Sequence, residues 1–259
     1  MMNQFDYHVA LISVTKTEES ALRYLYDNWI EKVFENDKQV YFETSFEKNG
    51  STCKVVAARQ NEMGMTAGAT LAMKLIEHFR PQYLIMVGIA AGVAISDVEE
   101  QIYGDVIVAN VIWNYSAGKF VSADKAEICF GDVGFIPRPT VIKMKPEIEE
   151  YIRKAAKSVE NQCHVSIGPM ACGNAVVANS EILNKHIHSQ FLHTVGLDME
   201  SYAIAYAAEN ATAPRPVPII MKSVCDFADH TKSDKYQKFA AYTSSEFAKL
   251  VYEQFLPFV

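Results

Sequence analysis

The sequence has 259 residues, 49% hydrophobic and 21% charged, which is enough apolar surface for a sizeable core and far from the composition of a disordered or fibrous chain. A formal net charge of −7 with no lysine or arginine run opposes binding to nucleic-acid phosphates, and no window is long and apolar enough to span a bilayer. Five scattered cysteines without C-x-x-C spacing indicate neither a disulfide framework nor a zinc knuckle, and the opening MMNQFDYHVA lacks the basic and apolar regions of a signal peptide, so a cytoplasmic chain is expected.

In chain order, YHVALISVT (Tyr7 to Thr15) reads as a short apolar strand, followed by a helical pattern from Glu18 to Phe34 with carboxylates in its first turn. QVYFETSF and CKVVAAR are strand-like and joined across EKNGS, where Asn49-Gly50 signals a hairpin turn. A helix is expected from Met65 to Phe79, ended by Pro81. QYLIMVGIAAGV then runs apolar into glycines, the pattern of a central strand buried on both faces, and GDVIVANVIW repeats it.

The segment from Asn114 to Pro139 reads as a long irregular excursion, a lid or an oligomer contact. Beyond it the pattern gives a helix from Lys145 to Lys157, a short helix near Glu181 to Gln190, and the strand TVGLDM. The small-residue helix ESYAIAYAAEN, the strand VPIIMKSV and a closing helix from Tyr236 to Phe255 complete the chain. Alternation of this kind predicts a single α/β domain over residues 1–259, a mixed or parallel sheet between layers of helices.

Ligands of open α/β sheets bind at the carboxyl ends of strands, so what each strand delivers there matters. These ends read TKTEE, GIAAG, GNAVVAN, DMES and CDFAD: three of the five carry carboxylates, and none carries a cation cluster suited to phosphate. GIAAG matches neither a dinucleotide fingerprint nor a P-loop, which leaves turn glycines or a backbone that a small ligand approaches closely. His186 and His188, two residues apart, point to different sides of a helix, so no metal and no cofactor are expected. Two carboxylates close one strand in KSVCDFADH; each is open to reading as a helix cap or as an acid whose pKa burial raises for proton transfer.

VGIAAGV (Val87 to Val93), GNAVVAN (Gly173 to Asn179), LDMESYAIA (Leu197 to Ala205) and SVCDFAD (Ser223 to Asp229) together resemble the successive ligand-binding motifs of the nucleoside phosphorylase and nucleosidase superfamily. The likeness runs from about Tyr7 to Leu256 and is strongest to methylthioadenosine/S-adenosylhomocysteine nucleosidases and to nucleosidase domains of bacterial signalling and defence proteins. It implies a three-layer αβα sandwich with a central mixed sheet, nucleoside phosphorylase-like, and a homo-oligomer, most simply a dimer. By this resemblance Asp226 is the acid toward the purine N7, Glu200 accepts the ribose hydroxyls, and Met199 packs on the ribose. Val176 and Val177 would take the base, while Ile89 and Ala90 in GIAAG line the sugar side. Asp229 is then a cap or loop anchor, and Asp198, where many members have glutamate, has a solvent-facing strand edge as its other reading.

The chemistry agrees with that pattern: cleaving an N-glycosidic bond leaves positive charge on the ribose and negative charge on the base, so an acid must protonate the departing base. Phosphorylases of the superfamily hold phosphate with arginines, and where those are expected this chain reads SVTKTEES and LIMVGIAAG. Water is then the expected nucleophile, activated by Glu18, with Glu19 the alternative one residue along and a dipole-favoured helix start the other reading of both. Lys119 and Arg59 are the cations offered to a 5′-phosphate, each with a solvated surface position as its alternative. A phosphate-dependent phosphorylase and a catalytically silent nucleotide sensor stay open beside the hydrolase, with nucleoside, nucleotide or thionucleoside as ligand.

Overall fold

A computed structural model describes residues 5–93, 101–230 and 232–259; residues 1–4, part of the opening read above for a signal peptide, lie outside the described residues. The chain begins with β1 (Tyr7–Ser13), α1 (Lys16–Tyr24), β2 (Ile30–Val33), β3 (Val40–Lys48), β4 (Ser51–Arg59), α2 (Met65–Phe79) and β5 (Pro81–Gly92). Next come β6 (Val106–Asn114), β7 (Gly118–Ser122), β8 (Ile128–Phe130), β9 (Val133–Pro137), β10 (Val141–Lys143) and α3 (Pro146–Ser158). The last part holds β11 (Val165–Cys172), α4 (Ser180–Ile182), β12 (Gly196–Asp198), α5 (Ser201–Asn210), β13 (Val217–Asp226) and α6 (Gln237–Leu250), with π-helical turns at Leu183–His188 and Val251–Phe255.

Ten strands form one mixed sheet among the described residues, in the order β10-β6-β11-β12-β5-β1-β4-β3-β2, with β13 beside β5 and β6. Because β5 pairs with β13, β13 with β6, β6 with β11, β11 with β12, and β12 again with the end of β5, these five strands close on one another. Side chains alternate along each central strand. Ala10, Ile12, Leu84 and Met86 enter a core with Leu71, Leu75 and Ile204 of α2 and α5; Val9, Leu11, Ile85 and Val87 enter another with Leu22, Ile152 and Phe247 of α1, α3 and α6. Burial on both faces explains why the central strands read as continuous apolar runs, and it yields the expected three layers.

Two expectations are corrected. The helix predicted to reach Phe34 stops at Tyr24, and Ile30–Val33 instead pairs antiparallel with β3, Ile30 opposite Glu43 and Val33 opposite Val40. Sheet pairing of the β-branched Ile30 and Val33 overrides the local helical pattern, and Asn28 ties the turn by accepting the Thr44 hydroxyl at 2.7 Å. The excursion after Asn114 is ordered: β7, β9 and β8 make a separate antiparallel sheet, pinned by the cross-strand pair Phe120 and Phe135 with ring centroids 5.2 Å apart. Its strands pair only with each other, so their signal is weak in a one-dimensional pattern. The Asn49-Gly50 hairpin forms as expected, both residues having positive φ (52° and 76°).

Candidate active site

Strand β1 passes into α1 through a capping box: the Thr15 hydroxyl accepts the Glu18 N–H at 3.2 Å, and Glu18 Oε2 accepts the N–H groups of Thr15 (2.6 Å) and Val14 (2.8 Å). Here the cap is also a wall. Glu18 is buried, and its other oxygen accepts the Ile89 N–H at 2.8 Å, which is possible because β5 carries glycine at the preceding position. A Cβ on Gly88 would stand 1.9 Å from Glu18 Oε1, and its φ of +142° disfavours any side chain. Glu19 turns the other way and pairs with Arg59, Nε to Oε2 at 3.0 Å.

Beneath Glu18 lies Lys222 on β13, 1% exposed, its Nζ 3.9 Å from both Glu18 Oε1 and Asp198 Oδ2. Burial alone would pull this ammonium's pKa down; the carboxylates of Glu18, Asp198 and Glu200 outweigh it and hold the pKa above the usual lysine range. Asp198, at the end of β12, is buried too, so the solvent-edge reading fails: it accepts the Ser201 hydroxyl at 2.6 Å and the Ser201 N–H at 3.1 Å as α5 begins. Glu200 follows, bonded to the Gly64 N–H at 2.6 Å. Burial lifts its carboxyl to about 7, against the pull of Lys222 and with a push from Asp198.

Pairing of β13 with β5 slips between Val224 and Asp226, a bulge at Cys225 that brings both Cys225 and Asp226 to one concavity. Asp226 is buried, accepts the Ala228 N–H at 3.0 Å, and pairs through Oδ2 with the Lys232 ammonium. An acid alone beside an apolar strand end is therefore not what is found: burial comes with an ion pair. Asp229 contributes its carbonyl, which accepts the Lys232 N–H at 3.2 Å in the turn after the strand, and it does not line the cavity.

These groups surround one cavity of about 290 Å³, at the small end of ligand sites. Glu18, Ile89, Ala90, Val176, Val177, Met199, Glu200 and Asp226 all line it. Arg59 and Lys119 do not: the first is engaged by Glu19, and the second lies on β7. His186 packs against the rings of Tyr115, Phe130 and Phe135.

Sequence reasoning missed Tyr115, whose hydroxyl donates to the Ala175 carbonyl at 3.1 Å beside the valines, together with Lys222 and Lys232. Lys222 left a signal, since a lysine inside the apolar run VPIIMKSVC must find buried carboxylates. Lys232, six residues past Asp226 in a polar loop, left none.

Among known proteins, the family model described as the phosphorylase superfamily matches residues 9–256. The uncharacterized protein y4jS of Sinorhizobium fredii is 31% identical over 233 residues, covering 85% of this chain and 54% of that protein. An ATP nucleosidase of Escherichia coli, Cap17, is 24% identical over 226 residues, 78% of this chain and 42% of the relative. The chain thus spans about half the length of these two curated relatives. The crystal structure of the 5′-methylthioadenosine/S-adenosylhomocysteine nucleosidase from Neisseria meningitidis with methylthio-immucillin-A shares the fold, with TM-score 0.74 at 21% identity over 94% of this chain and 97% of that one. On a match that takes in nearly every described strand and helix, the chain belongs to the phosphorylase superfamily.

Proposed function

We propose that the protein is a nucleosidase, hydrolysing the N-glycosidic bond of an adenine-type purine nucleoside or nucleotide. The observation that carries this is the convergence of three buried carboxylates, Glu18, Glu200 and Asp226, from three separate elements on one cavity whose other wall is the apolar pair Val176 and Val177. Relatives named as nucleosidases support the same reading.

The base lies against Val176 and Val177; once Lys232 withdraws from Oδ2, Asp226 takes up a proton from solvent and passes it to the purine N7. Glu200 accepts the ribose 2′- and 3′-hydroxyls, with Met199 against the sugar and Ile89 and Ala90 on its other side. Glu18, oriented by the N–H groups of Val14, Thr15 and Ile89, takes a proton from the water that attacks C1′. As the C1′–N9 bond breaks, the bonding pair goes to the base, and the water oxygen completes the ribose hydroxyl. The cavity lining holds no arginine among the described residues, and Lys222 is neutralised by Glu18 and Asp198, so hydrolysis is favoured over phosphorolysis. The assembly proposed is a homodimer, supported by the family resemblance and by the apolar side chains of Phe120, Val133 and Ile136 exposed on the three-stranded sheet.

The test is to incubate the protein with adenosine, methylthioadenosine, AMP and ATP, with and without phosphate, and to identify the products by mass. Free base with free ribose or its 5′-substituted form is expected. Ribose 1-phosphate would replace the proposal with phosphorolysis, and binding without base release would make the chain a sensor.

A further inference from the structure

The nucleoside half of a substrate accounts for the carboxylates and the apolar wall of the cavity but leaves its rim unused. Thr15 and Gln237, both partly exposed, also line the cavity, at the starts of α1 and α6. The residue after each, Lys16 and Lys238, lines instead a neighbouring groove of about 620 Å³ together with Thr17, Ser20, Tyr24 and Tyr242. Helices α1 and α6 are therefore walls of both concavities. Tyr24 and Tyr242 meet edge to face across the groove, with centroids 6.0 Å apart.

The chemistry of the groove is the reverse of that in the cavity. Its lining has two ammonium groups, four hydroxyls and no carboxylate among the described residues, on a chain whose net charge is −7, although the Tyr242 hydroxyl is bonded to Glu246. Both lysines are exposed, and neither takes part in an ion pair among the described residues. With the base on the valines and the 2′- and 3′-hydroxyls on Glu200, C5′ is the ribose substituent left to point outward. On the rim, Asp234 accepts the Gln237 amide at 2.6 Å and repels an anion seated there, so the favourable place for negative charge is beyond it, between Lys16 and Lys238.

We propose that this groove binds the 5′-phosphate or polyphosphate of a nucleotide whose base and ribose occupy the cavity, with Lys16 and Lys238 as its ammonium contacts. The proposal rests on the nucleosidase reading above and narrows it to phosphorylated substrates.

The test compares kcat/KM for base release from adenosine, AMP, ADP and ATP in the wild type and in a Lys16→Ala, Lys238→Ala double variant. The wild type should prefer nucleotides over adenosine by roughly tenfold or more, the scale of one charge-assisted hydrogen bond, and rising ionic strength should erode that preference. In the double variant the nucleotide-to-adenosine ratio should fall by on the order of 10–100-fold, and the AMP, ADP and ATP arms show how many phosphates the groove reads. Adenosine used as well as any nucleotide, or a ratio untouched by the substitutions, would overturn the groove. If no substrate releases base, the nucleosidase reading fails, and calorimetric titration of AMP and ATP into both proteins then decides the groove by itself: weaker nucleotide binding to the double variant supports it, and equal binding overturns it.

Discussion

Glu18 is at once a helix cap and a cavity wall, and the proposed roles separate the two. Glu18→Gln keeps most of the shape and one of the two acceptor oxygens but removes the base, so substrate affinity should largely persist while turnover falls by roughly 10²–10⁴-fold; Asp226→Asn should do the same by withholding the proton from the base. Steady-state kinetics check both, with Glu19→Gln as control: the salt bridge to Arg59 holds Glu19 outside the cavity, and its loss should leave turnover nearly intact. Glu200 carries a pH signature of its own. Burial raises its folded pKa to about 7 from an ordinary 4.5, so the folded protein binds a proton that the unfolded chain releases. That contribution to stability is full below about pH 4.5 and is lost as pH rises through 7. Urea unfolding should show the wild type losing up to about 3 kcal/mol relative to Glu200→Gln across that window. A difference that stays flat with pH would refute the raised pKa.

At the scale of elements, the site depends on two places where a strand departs from regularity. The bulge at Cys225 brings Asp226 to the cavity, and Gly88 lets β5 approach Glu18 closely enough for the Ile89 N–H to bond it. Gly88→Ala would drive a methyl group into the Glu18 carboxylate, so it should cost about 1–3 kcal/mol in stability and lower base release more than any surface substitution does. Thermal melts and kinetics on the same sample separate the two effects. A variant with normal turnover would show that the position of Glu18 is not needed.

For the whole molecule, closing five strands on one another places the ends of β5, β12 and β13 around one volume, so carboxylates far apart in sequence share it. Lys222 beneath them offsets the repulsion that clustering creates. Among the described residues no helix is long and apolar enough to cross a membrane. The proposed homodimer predicts twice the mass of one chain in light scattering at micromolar concentration, and substituting the exposed Val133 and Ile136 on the three-stranded sheet by serine should shift the distribution toward the monomer. Monomers at every concentration would rule the dimer out.

Local pattern was sufficient for much of this molecule. Runs such as LIMVG and VPIIM, short, apolar and bounded by turn residues, read as strands buried on both faces, Met65 to Phe79 has helical periodicity and a proline stop, and Glu18, Glu200 and Asp226 stand at predicted strand ends, where an open α/β sheet gathers its ligands. What needed the folded chain was partnership across sequence. β2 exists because β3 offers it an edge, and the sheet from Gly118 to Pro137 exists because Phe120 meets Phe135. Only one residue of alignment separates Glu18 from Glu19 in a linear pattern; Arg59 on β4 takes Glu19, and the glycine of β5 admits Glu18. Lys232 shows the same limit at its sharpest, since a lysine in a polar loop reveals nothing of the buried carboxylate it meets. Periodicity reports which side of an element is apolar, but a charge takes its meaning from the groups that tertiary packing sets within a few ångströms of it.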